Sequence, residues 1–278
     1  MIVVTGATGN VGRELVAQLA AAGQPVRAIV RRNEDGASFP PGAEAFVGDL
    51  NRPDTLREAL AGASGIHLLA GYDGLPELLA DARAAGVRHV VLQSSSAAPT
   101  GDLDNAVAAY HIRSEQAIRD SGLGWTFLQP NSFMTNTLEW VPQLKAGDEV
   151  RAAFPDVAVS TIDPANVAAV SAAALTHPDG HAGKSYRLSG PEALRPADRA
   201  RLLGELLGRD IRFVGLSDAE ARAEMTAKMP EPYVDAFFSF FVDGTVDETT
   251  VQPTVEQVLG RPPRSFAQWL EAHADAFR

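Results

Sequence analysis

The chain has no cysteine in 278 residues, which excludes disulfides, thiolate-bound zinc, iron–sulfur clusters and thiol nucleophiles together. It also lacks any apolar run near the ~20 residues that a membrane-spanning helix needs, because Asp, Arg, Gly or Pro interrupts every candidate. Positive charge is scarce: 24 Lys and Arg stand against 35 Asp and Glu, a formal net charge of −11 at pH 7. No basic stripe offsets that field, so no nucleic-acid partner is expected. Metal and hydrolase chemistry lack their signatures too. His177 and His181 straddle a Pro-Asp-Gly turn without a third ligand, and no Gly-x-Ser-x-Gly elbow occurs. Met1-Ile2-Val3-Val4-Thr5-Gly6 runs straight into patterned chain rather than a charged and apolar leader, so the expected setting is cytoplasmic, away from membranes.

What is present is ordinary globular composition, 45% hydrophobic and 21% charged. Up to about residue 130, short β-branched runs at 2–5, 26–30, 45–47, 66–69, 90–93 and 126–129 alternate with helical stretches. In the first of these stretches Val11, Leu15 and Leu19 share one helical face. Such alternation predicts βαβ units, hence a parallel sheet covered by helices on both sides. Beyond about residue 135 the rhythm turns helical, at 164–175, 196–207, 218–225, 231–241, 254–259 and 265–276. Asp163 and Pro164 suit the N-cap and first position of the first of those helices. Short strands at 157–161, 185–188 and 211–214 would extend or flank the main sheet. The expected division is a first domain over 1–135 and a smaller, mostly helical lobe over 136–278.

The most specific motif is Gly6-Ala7-Thr8-Gly9-Asn10-Val11-Gly12, three glycines spaced G-x-x-G-x-x-G between the first strand and the first helix. Glycine permits the tight turn, leaves bare amides for a pyrophosphate and lets the helix pack close to the strand. The reading is a Rossmann-type, doubly wound sheet that binds a dinucleotide. Where an acidic side chain would hold a ribose 2′-hydroxyl, the second strand ends in Val30-Arg31-Arg32-Asn33, and the first carboxylate is Glu34. A guanidinium at Arg31 suits a 2′-phosphate, which favours NADP(H) over NAD(H). Two further strand tips would complete the cradle: Gly48-Asp49-Leu50, with Asp49 alternatively a helix cap, and the small pair Ala70-Gly71.

Together with His111-Ile112-Arg113-Ser114-Glu115-Gln116-Ala117-Ile118-Arg119 and Trp125-Thr126-Phe127-Leu128-Gln129-Pro130-Asn131-Ser132-Phe133-Met134, these segments resemble the NmrA-like group of atypical short-chain dehydrogenases. That group includes triphenylmethane reductase and some quinone oxidoreductases. The resemblance implies NAD(P)H binding, with the second lobe forming a substrate cleft over the nicotinamide. It does not extend to the Tyr-x-x-x-Lys pair of typical members: Tyr110 is followed four positions on by Ser114, and the first lysine in the chain is Lys145. Some relatives carry Arg where this chain has Gln129.

A reductase needs hydride from its cofactor and, for some acceptors, a proton donor. His111 is the first candidate, with Tyr110 second. Ser94 and Ser95, at the tip of the fifth strand, suit ribose or substrate contacts, and Asn131, Phe133 and Met134 suit the substrate wall. The expected function is reduction of a quinone-like, carbonyl or conjugated aromatic small molecule. A redox sensor that binds NADP(H) without turnover is the alternative, and homo-oligomeric assembly stays open.

Overall fold

The computed structural model describes residues 1–32 and 39–278. Asn33 and Glu34 therefore lie outside the described residues. The first half follows the expected alternation: β1 (Ile2–Val4), α1 (Asn10–Ala21), β2 (Val26–Val30) and β3 (Ala43–Val47). A short α2 (Arg57–Leu60) leads to β4 (Gly65–Leu69), α3 (Leu75–Ala84), β5 (His89–Gln93), α4 (Ala106–Asp120) and β6 (Gly124–Pro130). Next come α5 (Val141–Ala146), β7 (Glu149–Ala152), α6 (Pro164–Thr176) and β8 (Lys184–Leu188). The chain ends through α7 (Pro196–Leu207), β9 (Arg212–Gly215), α8 (Asp218–Thr226), α9 (Glu231–Phe241), α10 (Thr254–Leu259) and α11 (Phe266–Ala272).

Seven strands form one sheet in the order β3-β2-β1-β4-β5-β6-β8, and β1 to β6 pair in parallel. The order reverses between β1 and β4. Thr5 fixes that seam: its backbone N–H and its hydroxyl both donate to the His67 carbonyl, at 3.0 and 2.9 Å. A reversal of this kind leaves a crevice at the carboxyl ends of the strands, the usual ligand position in open α/β sheets.

The chain divides into two compact units that interleave in sequence. The first comprises Met1–Pro99, Ala109–Pro130 and Pro164–Arg187, and the second Thr100–Ala108, Asn131–Asp163 and Leu188–Arg278. This departs from the expected single boundary at 135. The reason lies in α6, whose Pro164, Val167, Ala168, Val170, Ala174 and Leu175 are all buried. A helix apolar on nearly every side has to be covered, and α6 packs on α1 and the sheet. Gln18 Nε2 donates to the Ala165 carbonyl at 3.0 Å, and Ser171 Oγ lies 2.9 Å from His67 Nδ1 on β4.

The core of the first unit joins Val3, Ile29, Leu56, Leu68, Leu79, Val90 and Phe127. The second unit has its own core around Met134, Trp140, Leu203, Phe266 and Trp269. Three local expectations are corrected. No strand forms over 157–161, where Val159 makes only an isolated bridge with Leu194. The strand near 211 does not join the main sheet but pairs in parallel with β7, which its charged Glu149 and Arg151 had hidden. The last helix stops at Ala272, because His273 Nδ1 donates to the Trp269 carbonyl at 2.8 Å and a 3₁₀ turn, Ala274–Phe277, follows.

Candidate active site

The glycine turn sits at the end of β1, beside the reversal. Gly6 has φ of 61°, and the Gly9 N–H donates to its carbonyl at 2.9 Å, closing the turn. Gly12 has a different duty: a Cβ there would lie 2.1 Å from the Gly6 carbonyl oxygen, so α1 can approach the turn only as glycine. Gly9 is the N-cap of α1, with extended backbone. As glycine it brings no capping side chain to this helix, and no acid stands in the first turn. A helix start without its own cap has amides and a positive dipole end ready for an anion. The cradle therefore fits a dinucleotide pyrophosphate. Thr8 and Asn10 are exposed at its rim, whereas Val11 faces the core.

The other expected cofactor residues fall into two groups. Arg31 is exposed directly after β2, and Ala70 and Gly71 directly follow β4. Gly71 has φ of 92°, and a Cβ there would stand 3.1 Å from the Tyr110 ring. Asp49, Leu50, Ser94 and Ser95 have structural occupations instead. Asp49 Oδ1 accepts from the Asn51 N–H at 2.9 Å, closing a turn; it is not the helix cap that the sequence offered as the alternative, since the helical segment Pro53–Leu56 has Arg52 as its N-cap. Leu50 packs in the core beside Leu56 and Leu75, and Ser95 Oγ accepts from the Ala97 N–H at 3.1 Å.

Ser94 leads to a residue that the sequence reading passed over. Its hydroxyl donates to Glu115 at 2.7 Å, Gln129 Nε2 donates to the same oxygen at 2.9 Å, and Arg119 Nη2 reaches the other oxygen at 2.9 Å. Glu115 is only 4% exposed, so this carboxylate bolts the tip of β5, the end of β6 and the middle of α4 together. The signal was the i,i+4 spacing of Glu115 and Arg119.

Four residues after Tyr110, Ser114 takes the place a lysine would hold. Its hydroxyl donates to the Tyr110 carbonyl at 2.8 Å and accepts from the Gly71 N–H at 3.1 Å. That residue secures the β4 tip and has no charge with which to lower a tyrosine pKa. His111 lies within α4 rather than at its start; α4 begins at Ala106, with Asn105 Oδ1 accepting from the N–H groups of Val107 and Ala108. The His111 ring lies 4.2 Å from that of Tyr110, its Nδ1 is buried without a partner, and burial lowers its pKa from 6.5 to about 4. At neutral pH it is an uncharged imidazole, able to donate or accept one hydrogen bond but not to act as an imidazolium acid.

The three residues expected to line the substrate site belong to the second unit. Met134 is fully buried in its core, which corrects that assignment. Asn131 is 2% exposed and its Nδ2 donates to Ser160 Oγ at 2.9 Å and to the Glu248 carbonyl at 3.2 Å. Phe133 remains half-buried, bridged to Ile162. Glu248, another buried acid not singled out from sequence, accepts from the Ser132 N–H and hydroxyl.

Comparison with known proteins agrees with the cradle. A family profile described as NAD(P)H-binding matches residues 6–178. The (4-alkanoyl-5-oxo-2,5-dihydrofuran-3-yl)methyl phosphate reductase of Streptomyces griseus is 41% identical over 100% of this chain and 99% of its own. The NAD(P)H azoreductase of Xenophilus azovorans is 34% identical with the same coverage, 100% and 99%. The structure of Citrobacter sp. triphenylmethane reductase complexed with NADP(H) shares the fold, with a TM-score of 0.80, 23% identity and coverage of 98% and 99%. Among the described residues no helix is long and apolar enough to cross a membrane. With a glycine turn, an uncapped first helix and a profile match running from Gly6 through the returning helix, the chain belongs to the NAD(P)H-binding family of oxidoreductases.

Proposed function

We propose that the chain is an NADPH-dependent oxidoreductase of the cytoplasm that reduces a quinone-like, carbonyl or conjugated aromatic small molecule by direct hydride transfer. The observation that carries this reading is the anion cradle of Gly6, Gly9 and the uncapped start of α1, beside the exposed Arg31 at the end of β2. Bound NADPH supplies the hydride. The chain's own part is to hold the pyrophosphate on the α1 amides, to meet the 2′-phosphate with Arg31, and to fix Tyr110 and His111 on α4 near the β4 tip.

No charged proton donor accompanies them, since Ser114 replaces the lysine and His111 is neutral at pH 7. Acceptors that take their proton from water after reduction are therefore favoured. Support comes from what the full-length relatives are named for: an azo compound in one case, and in the other an unsaturated lactone bearing a methyl phosphate. The same absence of a charged donor favours the second reading, a redox sensor that binds NADP(H) without turnover.

Turnover separates the two. NADPH consumption is to be followed with a quinone, an azo dye and an acyl-substituted unsaturated lactone as acceptors. Reduction of any of them supports the enzyme, and tight binding with no turnover of all three supports the sensor. Arg31→Glu should cost ~10- to 150-fold in NADPH affinity and little in NADH affinity, the worth of a charge-assisted contact. Equal NADPH and NADH affinities in the unmutated protein would sink the cofactor assignment.

A further inference from the structure

The second unit holds a cavity of about 160 Å³, large enough for roughly five waters at about 30 Å³ each. Two polar groups are left without partners around it. Arg199, on the second turn of α7, has a buried Nε with no hydrogen bond, and Thr137, on the 3₁₀ segment Met134–Trp140, has a buried hydroxyl with none. Among the described residues Arg199 is in no ion pair, and Glu139, the acid lining the same cavity, does not reach it. Burial lowers the Arg199 pKa to about 10, so the guanidinium stays charged at neutral pH while stripped of much of its water. The guanidinium lies over the Trp140 ring, whose centroid is 5.5 Å from Cζ.

The remaining wall is mixed: Ser132, Asn136 and Thr161 stand among apolar residues such as Val157 and Val159. Phe154 and Phe241 line it with ring centroids 5.1 Å apart. Phe154 has φ of 54°, the one non-glycine positive φ among the described residues. Bulky residues adopt that conformation only where the surrounding structure imposes it, commonly at ligand sites. A half-buried guanidinium with its Nε enclosed and no counter-ion is costly for a fold to keep. An oxyanion would remove that cost, with the guanidinium fork facing it and the Thr137 hydroxyl as a further donor.

We propose that this cavity recognises the phosphate or carboxylate of a small molecule with an apolar body, Arg199 pairing with the oxyanion and Thr137 completing its hydrogen bonds. On the reductase reading, on which this last identification rests, that molecule is the acceptor.

The test is calorimetric titration of the full-length protein, saturated with NADP⁺, with butyl phosphate, butanoate, inorganic phosphate and butan-1-ol. At least one butyl anion should bind, at least about tenfold more tightly than the alcohol, and the stronger of the two identifies the oxyanion. Binding of inorganic phosphate alone, or equal binding of alcohol and anions, overturns the site. Arg199→Gln should weaken the anion by about 10- to 150-fold, the worth of a charge-assisted bond, and Arg199→Lys by less. NADP⁺ affinity should not change. Unaltered anion affinity in Arg199→Gln would reduce Arg199 to a packing partner of Trp140. Should both arginine variants fail to fold, the near-isosteric Thr137→Val decides: it should lose affinity several-fold, and no loss overturns the proposal.

Turnover keeps this inference apart from the reductase reading. Arg199→Gln should raise KM for a phosphorylated acceptor and leave its unphosphorylated counterpart alone, whereas equal effects on both overturn the identification of the acceptor. Anion discrimination without reduction of any acceptor would uphold the site and reject the reductase.

Discussion

At the scale of single residues, the three glycines of the turn do different work, and substitution separates them. Gly9 has ordinary extended backbone, and a Cβ there would meet the Gly6 carbonyl oxygen at 3.2 Å, tight but tolerable. Gly9→Val should therefore fold and lose dinucleotide binding, because the branched side chain fills the space over the α1 amides. Gly12→Val should instead destabilise the fold itself, since its Cβ would overlap the Gly6 backbone at 2.1 Å. Calorimetric affinity and thermal melts, measured on both variants, distinguish the roles; a Gly9→Val protein with normal affinity would remove the turn from the site. His111 makes a second residue-scale case. Held neutral by burial, it cannot impose an ionisation near its ordinary 6.5, so the pH profile of kcat should be flat there. His111→Phe keeps the ring and removes its hydrogen bond. A fall in kcat of more than about tenfold with unchanged NADPH affinity assigns the imidazole to orienting the acceptor, and no fall makes it packing.

At the scale of elements, the carboxylate of Glu115 carries more than any single turn. Three side-chain donors from the tip of β5, from β6 and from α4 end on it, so Glu115→Leu strands a buried hydroxyl and amide and removes the ion-pair partner of the part-exposed Arg119. The expected loss is roughly 3 kcal/mol in denaturant unfolding, the range for breaking a buried charged network. Glu115→Gln should recover part of it, and a Leu variant as stable as the parent would refute the bolt. This network also marks how far the sequence could be read. Strands 26–30 and helices 196–207, 231–241 and 254–259 were legible to the residue, because local hydrophobic period and Pro or Gly boundaries determine them. The glycine turn was legible because phosphate geometry leaves few alternatives. The return of α6 to the first unit was not, since an apolar helix shows that it is buried but not where. The expected wall residue Met134 and the overlooked Glu115, Arg199 and Glu248 share one reason: an apolar or charged residue looks alike in sequence whether it faces a cavity, a core or a buried partner.

At the scale of the whole molecule, the buried histidines make stability depend on pH in a definite direction. His67 sits on β4 under α6, fully buried, and burial lowers its pKa from 6.5 to about 4. Above pH 6.5 it is neutral both folded and unfolded, so it contributes no pH dependence there. Between 6.5 and 4 the unfolded chain binds its proton and the folded chain does not, so unfolding gains protons and stability falls as pH falls. Below 4 both states are protonated and the loss levels off. Integrated over that window, His67 alone costs roughly 3 kcal/mol at 1.36 kcal/mol per pH unit, a sizeable part of a typical domain's stability. His111 adds a loss of the same sign over the same range. The net charge of −11 acts the other way, because acidification relieves self-repulsion. That repulsion is spread over a solvated, screened surface, whereas the histidine cost arises in a dry interior, so the histidine effect should dominate. His67→Gln retains a polar partner for Ser171 without the titration. Its denaturant curves should lie below the parent's at pH 7 and converge with them by roughly 3 kcal/mol as pH falls to 4. Parallel dependence of parent and variant on pH would show that His67 takes its proton in the folded state, and that β4 and α6 are less tightly closed around it than their packing indicates.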